Sequence, residues 1–141
     1  MKRLPFSIMF FYTQDGHVLL QDRKSIPIDD SEWGFFGGIH EKNETPEQAL
    51  IREIKEELNF DTSHHVHVHS FESPYHEGMF EGHIFASELP ENHEEVFTVL
   101  EGDGMKLYHV DDLDTVKLSK LHAEVTKPII KKFFKKKGKK N

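Results

Sequence analysis

A chain of 141 residues with 18 Lys and Arg, 25 Asp and Glu and no cysteine has the length of one domain, and it excludes disulfide frameworks and thiolate chemistry. Its formal charge of −7 is unevenly divided: Lys127 to Asn141 hold eight lysines and no acid, leaving 10 basic and 25 acidic side chains in the preceding 126 residues, net −15. So acidic a body argues against general nucleic-acid binding, which rests on neutralising phosphates, and the lack of cysteine suits a reducing cytoplasm.

Phe6 to Tyr12 and His17 to Asp22 read as strands joined through Gln14-Asp15-Gly16, a hairpin signal. Lys2 and Arg3 precede the first apolar run, but that run lacks a small-residue cleavage site and is too short for a membrane span, so it reads as a strand and not a leader. Ser25 to Glu32, with Pro27 and three acids, is a loop. Trp33 to Gly38 then bring in glycines that let the backbone approach a ligand closely.

A helix follows. Thr45, Pro46 and Gln48 form a capping-box start, with proline at the first helical position. Leu50, Ile51, Ile54 and Leu58 fall within an arc of about 100° that must face a core, and Glu53, Glu56 and Glu57 occupy the adjoining arc. Asn59 stands where a helix end wants a residue that tolerates the left-handed conformation. The pairs 53/56 and 53/57 set carboxylates side by side, and Glu56 and Glu57 also oppose the helix dipole. Each effect costs only about 0.2 to 1 kcal/mol, but all have one sign, and a bound divalent cation reverses them all.

Beyond the helix, His65 to Phe71 alternates as a strand. His65, His67 and His69 should share one face; a polar strand face is a simpler account of them, with His64, than a soft-metal site. Met79 to Ala86, Val96 to Leu100 and Lys106 to Val110 are further strand candidates. A short helical turn starts near Asp111, and Ser119 to about Lys137 is a helix that Pro128 should restart or kink. Ile129, Ile130, Phe133 and Phe134 dock that helix on the domain. Residues 1–134 form one domain and 135–141 a frayed basic tail.

The spacing Gly38, five residues, Glu44, seven residues, Arg52-Glu53-Ile54-Lys55-Glu56-Glu57, one residue, Asn59-Phe60 resembles the signature box of the MutT-like Nudix hydrolases. Every charged position of the box is present. Asn59 stands where the family has Gly, and Phe36 where many members have Pro; neither change removes a ligand. The resemblance implies an α+β fold, a Nudix-type α/β/α sandwich with a mixed β-sheet.

It also implies metal-dependent hydrolysis of the diphosphate linkage in a nucleoside diphosphate joined to another group, whether a nucleoside triphosphate, a nucleotide sugar or a dinucleotide. The expected cofactor is Mg²⁺, or Mn²⁺, since hard cations take oxygen ligands and share substrate phosphates. Glu56 and Glu57 are the first choices as ligands and Glu53 a ligand or the base that orients water; the resemblance adds a backbone carbonyl of Gly37-Gly38. Arg52 would orient a glutamate through a bidentate bond that Lys cannot copy, and Glu44 stands one layer behind. Glu101 or Asp103, from the loop before the Lys106 strand, would complete the site. For the substrate, Arg23 and Lys24 are candidates for phosphate or leaving-group contacts, and Trp33, Phe35 and Phe36 for base stacking, with core packing the competing role. Pro74 and Tyr75 lie near a point beyond the box where subgroups of the family differ, and they indicate two incompatible substrate classes. The partner is thus a small nucleotide derivative; a homodimer is compatible with the sequence. The alternative is a non-catalytic nucleotide sensor of the same fold, and an isomerase would need a further acid or base.

Overall fold

The computed structural model describes residues 2–26 and 31–138. The centre of the Ser25–Glu32 loop and the last three residues of the tail lie outside that range.

The sheet is organised around β1 (Lys2–Tyr12), which starts four residues earlier than its apolar run. It runs parallel to β6 (Gly78–Glu88) along its whole length, from Lys2 opposite Gly78 to Tyr12 opposite Glu88, and antiparallel to β4 (Phe36–Ile39). The hairpin turn to β2 (His17–Asp22) is present, but β1 and β2 pair only where Tyr12 meets Val18. From there β2 turns to β7 (Met105–His109) and β3 (Trp33–Gly34). β5 (His65–Tyr75) flanks β6 as an outer strand, completing a mixed seven-stranded sheet.

Both faces of the sheet are covered, which is why β1 reads as a continuous apolar run rather than an alternating one. Met9 and Phe11 point to one side, with Leu19, Phe36 and Phe85, against Leu50, Ile54 and Leu58 of α1 (Pro46–Leu58). Phe6, Ile8, Phe10 and Tyr12 point to the other, where the C-terminal helix brings Ile130 and Phe133. That helix restarts as expected at Pro128. A π-helical turn at His122–Thr126, in which the Lys127 amide reaches back to the His122 carbonyl, precedes it. Proline lacks the N–H for the usual bond, and the widened turn accommodates the loss. After a short helix α2 (His93–Val96), α3 (Lys127–Gly138) follows and carries Lys135 to Lys137 in its last turn. The helical turn expected near Asp111 is a 3-10 segment, Val110–Thr115.

Two strand expectations fail. Val96 to Leu100 is not a strand: α2 ends at Val96, and the chain beyond it bonds to a helix end. The Thr98 amide donates to the Leu58 carbonyl (2.9 Å) and the Leu100 amide to that of Glu57 (2.8 Å). The buried ring of Phe97, packed on Phe11 and Phe60, gives the segment its apolar look, while its amides satisfy carbonyls that a helix terminus leaves open. The histidine array also divides. A bulge between His67 and His69 puts His67 opposite Phe85, on the α1 side, and His69 opposite Ile84, on the α3 side; one extra residue inverts the alternation.

Candidate active site

The approach loop is fixed by buried polar groups. Ser7 on β1 donates through Oγ to the Pro46 carbonyl (2.8 Å) and accepts from His40 Nε2 (2.7 Å), joining the central strand to both ends of the loop. Gly37 has φ +139°, and a Cβ there would lie 2.1 Å from the Ser7 carbonyl oxygen, so only glycine fits. At Gly38 a Cβ would lie 2.5 Å from Glu53 Cδ: the missing side chain is where the Glu53 carboxylate sits. The helix is capped as its sequence signals, with both capping-box bonds present, and Asn59 ends it at φ 51° in the left-handed region.

Arg52 gathers the acids. Its Nε and Nη2 donate to the two carboxylate oxygens of Glu44 (2.7 and 2.9 Å), and Nη1 donates to Glu53 Oε1 (2.8 Å) and Glu56 Oε1 (3.3 Å). Nη2 also reaches the Ile39 carbonyl (3.1 Å), tying the helix to the end of β4. The bidentate bond goes to Glu44, which also accepts from the Glu41 amide (2.7 Å); these bonds lower its pKa to about 2. Burial raises that of Glu53, with Arg52 opposing.

Glu57 is different. It is only 4% exposed. Its Oε1 accepts from the Gly37 amide (2.9 Å), and none of the described Lys, Arg or His side chains pairs with it. Burial pushes its pKa up to about 9, the Gly37 bond opposes this, and Glu101 and Glu53 add repulsion.

Glu101 therefore stands within electrostatic reach of both Glu53 and Glu57. Asp103 accepts at Oδ2 from the Ser25 amide (2.8 Å), which holds two loops together. Gln21, fully buried on β2, places Glu101 by donating to its carbonyl (3.1 Å) and accepts from Arg23 Nη1 (2.8 Å). Gln21, Ser7 and His40 escape a reading of motifs; the available signal was a polar residue on an otherwise apolar strand, as Ser7 and Gln21 are.

A cleft of about 220 Å³ opens beside Gly37 and Gly38, with Arg23, Trp33, Phe35 and His122 in its walls. Phe35 is buried with its edge against the His122 ring, and Phe36 is wholly in the core. Trp33 is half-buried, with the Lys24 ammonium 4.2 Å from its ring centre. Tyr75 packs on Phe80, which also lines the cleft.

Among the described residues, no three acid or histidine side chains converge as ligands in this arrangement, because Arg52 holds Glu53 and Glu56 while Glu57 turns to Gly37. The donor set nevertheless fits a hard divalent cation: it is all oxygen, and it includes one buried carboxylate with no cationic side chain bonded to it among the described residues.

The chain matches the NUDIX domain over residues 1–133. It is 31% identical over 84 residues to a CTP pyrophosphohydrolase of Escherichia coli (50% of this chain, 62% of the relative). It is 58% identical over 31 residues to an 8-oxo-dGTP diphosphatase of Proteus vulgaris (22% and 28%). A MutT structure described for Aliivibrio salmonicida and Vibrio cholerae superposes with a TM-score of 0.72 at 19% identity, covering 93% of this chain and 99% of that one. The chain belongs to the Nudix family. Its matches span 62% and 28% of the lengths of the two curated relatives.

Proposed function

We propose that the chain is a Nudix-type pyrophosphohydrolase that splits the diphosphate linkage of a nucleoside diphosphate joined to another group, using Mg²⁺ or Mn²⁺. The observation that carries this reading is Glu57, a buried carboxylate with no cationic side chain bonded to it among the described residues, held by the amide of Gly37, which lines the cleft, and next to acids ordered by Arg52. Nudix hydrolases generally use divalent metals. Both curated relatives are named for activities on nucleoside triphosphates, which favours a triphosphate over a nucleotide sugar or dinucleotide.

Glu53, Glu56, Glu57 and a carbonyl of Gly37 or Gly38 would hold the cation. When bound, it supplies Lewis acidity and a more acidic water. The chain's own groups do the rest. Arg52 orients Glu53 through Nη1 while its Nε and Nη2 are fixed by Glu44, so the carboxylate has one rotamer to offer. Glu53, whose pKa is raised by burial, is thereby made a better proton acceptor than an ordinary carboxylate. Glu101 is the second candidate for that proton, on its proximity to Glu53 and Glu57. Arg23 lies at the cleft wall, and its charge favours the ionised form of Glu57, so it also suits a phosphate. Phe35 shapes the floor by packing, and Trp33 offers the more accessible ring. Residues 1–134 supply all of these groups.

The test is a panel of nucleoside triphosphates, nucleotide sugars and dinucleoside polyphosphates assayed with Mg²⁺ for release of nucleoside monophosphate. Turnover of at least one class, lost in Glu57→Gln, is expected. Tight nucleotide binding without turnover of any class would replace the enzyme by the sensor.

A further inference from the structure

On the side of the sheet opposite α1, the C-terminal helical segment runs beside β5 and leaves a seam along it. Two hollows mark this seam, about 420 Å³ near Tyr75 and about 470 Å³ near Val66. Lys120, Val125, Ile129, Lys132, Phe133 and Lys136 line them from the helical side, at the spacing of one helix face. From the strand come Val66 and Val68, and Val66 is 56% exposed.

β5 ends the strand order, so its outer edge has no strand neighbour among the described residues. Such an edge presents unpaired N–H and C=O groups. On that outer edge, the bulge between His67 and His69 and the proline at position 74, which has no N–H, leave residues 69–73 as the stretch suited to regular pairing.

Charge gives the seam a preference. Lys127 and Lys131 are engaged by Asp114 (2.9 and 2.7 Å), whereas Lys120, Lys132 and Lys136 have no ion-pair partner among the described residues. Glu124 is the one acid among the residues lining the two hollows. An apolar strip edged with lysine thus crosses a domain that is otherwise strongly acidic.

We propose that this seam docks an extended acidic segment of a partner protein, which adds as a strand to the free edge of β5 and turns both apolar and Asp or Glu side chains into the groove. The backbone edge would supply affinity, and the helix side chains specificity. A second copy of this chain fits poorly. Pairing two β5 edges would bring two sets of Lys132 and Lys136 together, and β5 carries a single acid, Glu72, already engaged by Arg3.

A display library of random peptides, panned on the full chain and counter-panned on the Lys132→Glu/Lys136→Glu variant, tests this. Thermal unfolding and nucleotide turnover of the variant should match the parent, since neither lysine is near the acid cluster. Enriched peptides should combine Asp or Glu with branched apolar residues. A synthetic copy should lose at least about tenfold in affinity on the charge-reversed variant and protect amides of residues 69–73 from hydrogen exchange. If the charge reversal disturbs folding, Lys132→Gln/Lys136→Gln should give a smaller loss in the same direction. The proposal is overturned by an absence of acidic enrichment, by equal binding to parent and variants, or by protection elsewhere. Self-association through β5, or binding of anionic phospholipid vesicles but of no peptide, would also overturn it.

Discussion

Glu44 and Glu57 bracket the box and have the same side chain, yet their surroundings push them in opposite directions. Glu44 faces a guanidinium held by two bonds, and its pKa falls to about 2. Glu57 faces one amide in the interior, and its pKa rises to about 9. The first end of the cluster is complete within the chain; the second is not. A charge buried without a partner is costly, so the Glu57 end is where a cation from outside has most to contribute.

The largest effect expected from this contrast is at Glu57. Glu57→Gln should lower kcat about 10²–10³-fold and leave the apo protein at least as stable as the parent, because it removes a carboxyl that burial holds back from its ordinary ionisation. Steady-state kinetics and thermal unfolding check both parts, and near-parental turnover would remove the metal role given to Glu57. At the other end, Arg52→Lys keeps a charge but loses the fork that binds Glu44 while holding Glu53 and Glu56. We expect a fall of about 10- to 100-fold in kcat, with the Glu44 pKa moving back toward 4.5 in a carboxylate NMR titration.

The two ends also differ in how stability follows pH. Glu57 has a raised pKa in the fold, so its contribution is fully present below 4.5 and is lost as pH rises toward about 9. Glu44 has a lowered pKa, so its contribution is present above 4.5 and is lost as pH falls toward about 2. Denaturant unfolding without metal should show the alkaline decline flattened in Glu57→Gln and the acid decline flattened in Glu44→Gln. An unchanged alkaline slope in Glu57→Gln would show that Glu57 is not the buried acid responsible.

The smallest effect separates the two late-loop acids. Glu101→Gln should reduce kcat about tenfold or more, through its field on Glu53 and Glu57. Asp103→Asn should leave kcat within about twofold and cost about 1 kcal/mol of stability, the worth of its bond to the Ser25 amide. The reverse ranking would make Asp103 the acid that serves the site.

These differences show which parts of the site are local in sequence. The acids of α1 were legible because residues three and four apart on a helix are neighbours whatever the fold, and the capping box and Asn59 fixed the helix ends. The close backbone approach at Gly37 and Gly38 was legible from the glycines themselves, although they lie in β4 and not in a turn. That Arg52 takes Glu44 as its bidentate partner, rather than one of the helix acids, depends on how the loop returns to the helix, and spacing does not show that. The placement of Glu101 depends on Gln21, a residue from another strand that bonds its carbonyl, and of Asp103 on the Ser25 amide, and spacing shows neither. Val96 to Leu100 misled because burial of Phe97 mimics a strand, and the histidine array misled because a one-residue bulge leaves no mark in an alternating sequence.

The central claim is that Glu57 stays largely protonated until a cation arrives. The direct test is calorimetric titration of the substrate-free protein with Mg²⁺ at neutral pH, in buffers of different ionisation enthalpy, which counts protons released on binding. Release approaching one proton per site in the parent, and almost none in Glu57→Gln, is the expected result. Binding of equal affinity and equal proton release in both proteins would contradict it and place the cation away from Glu57.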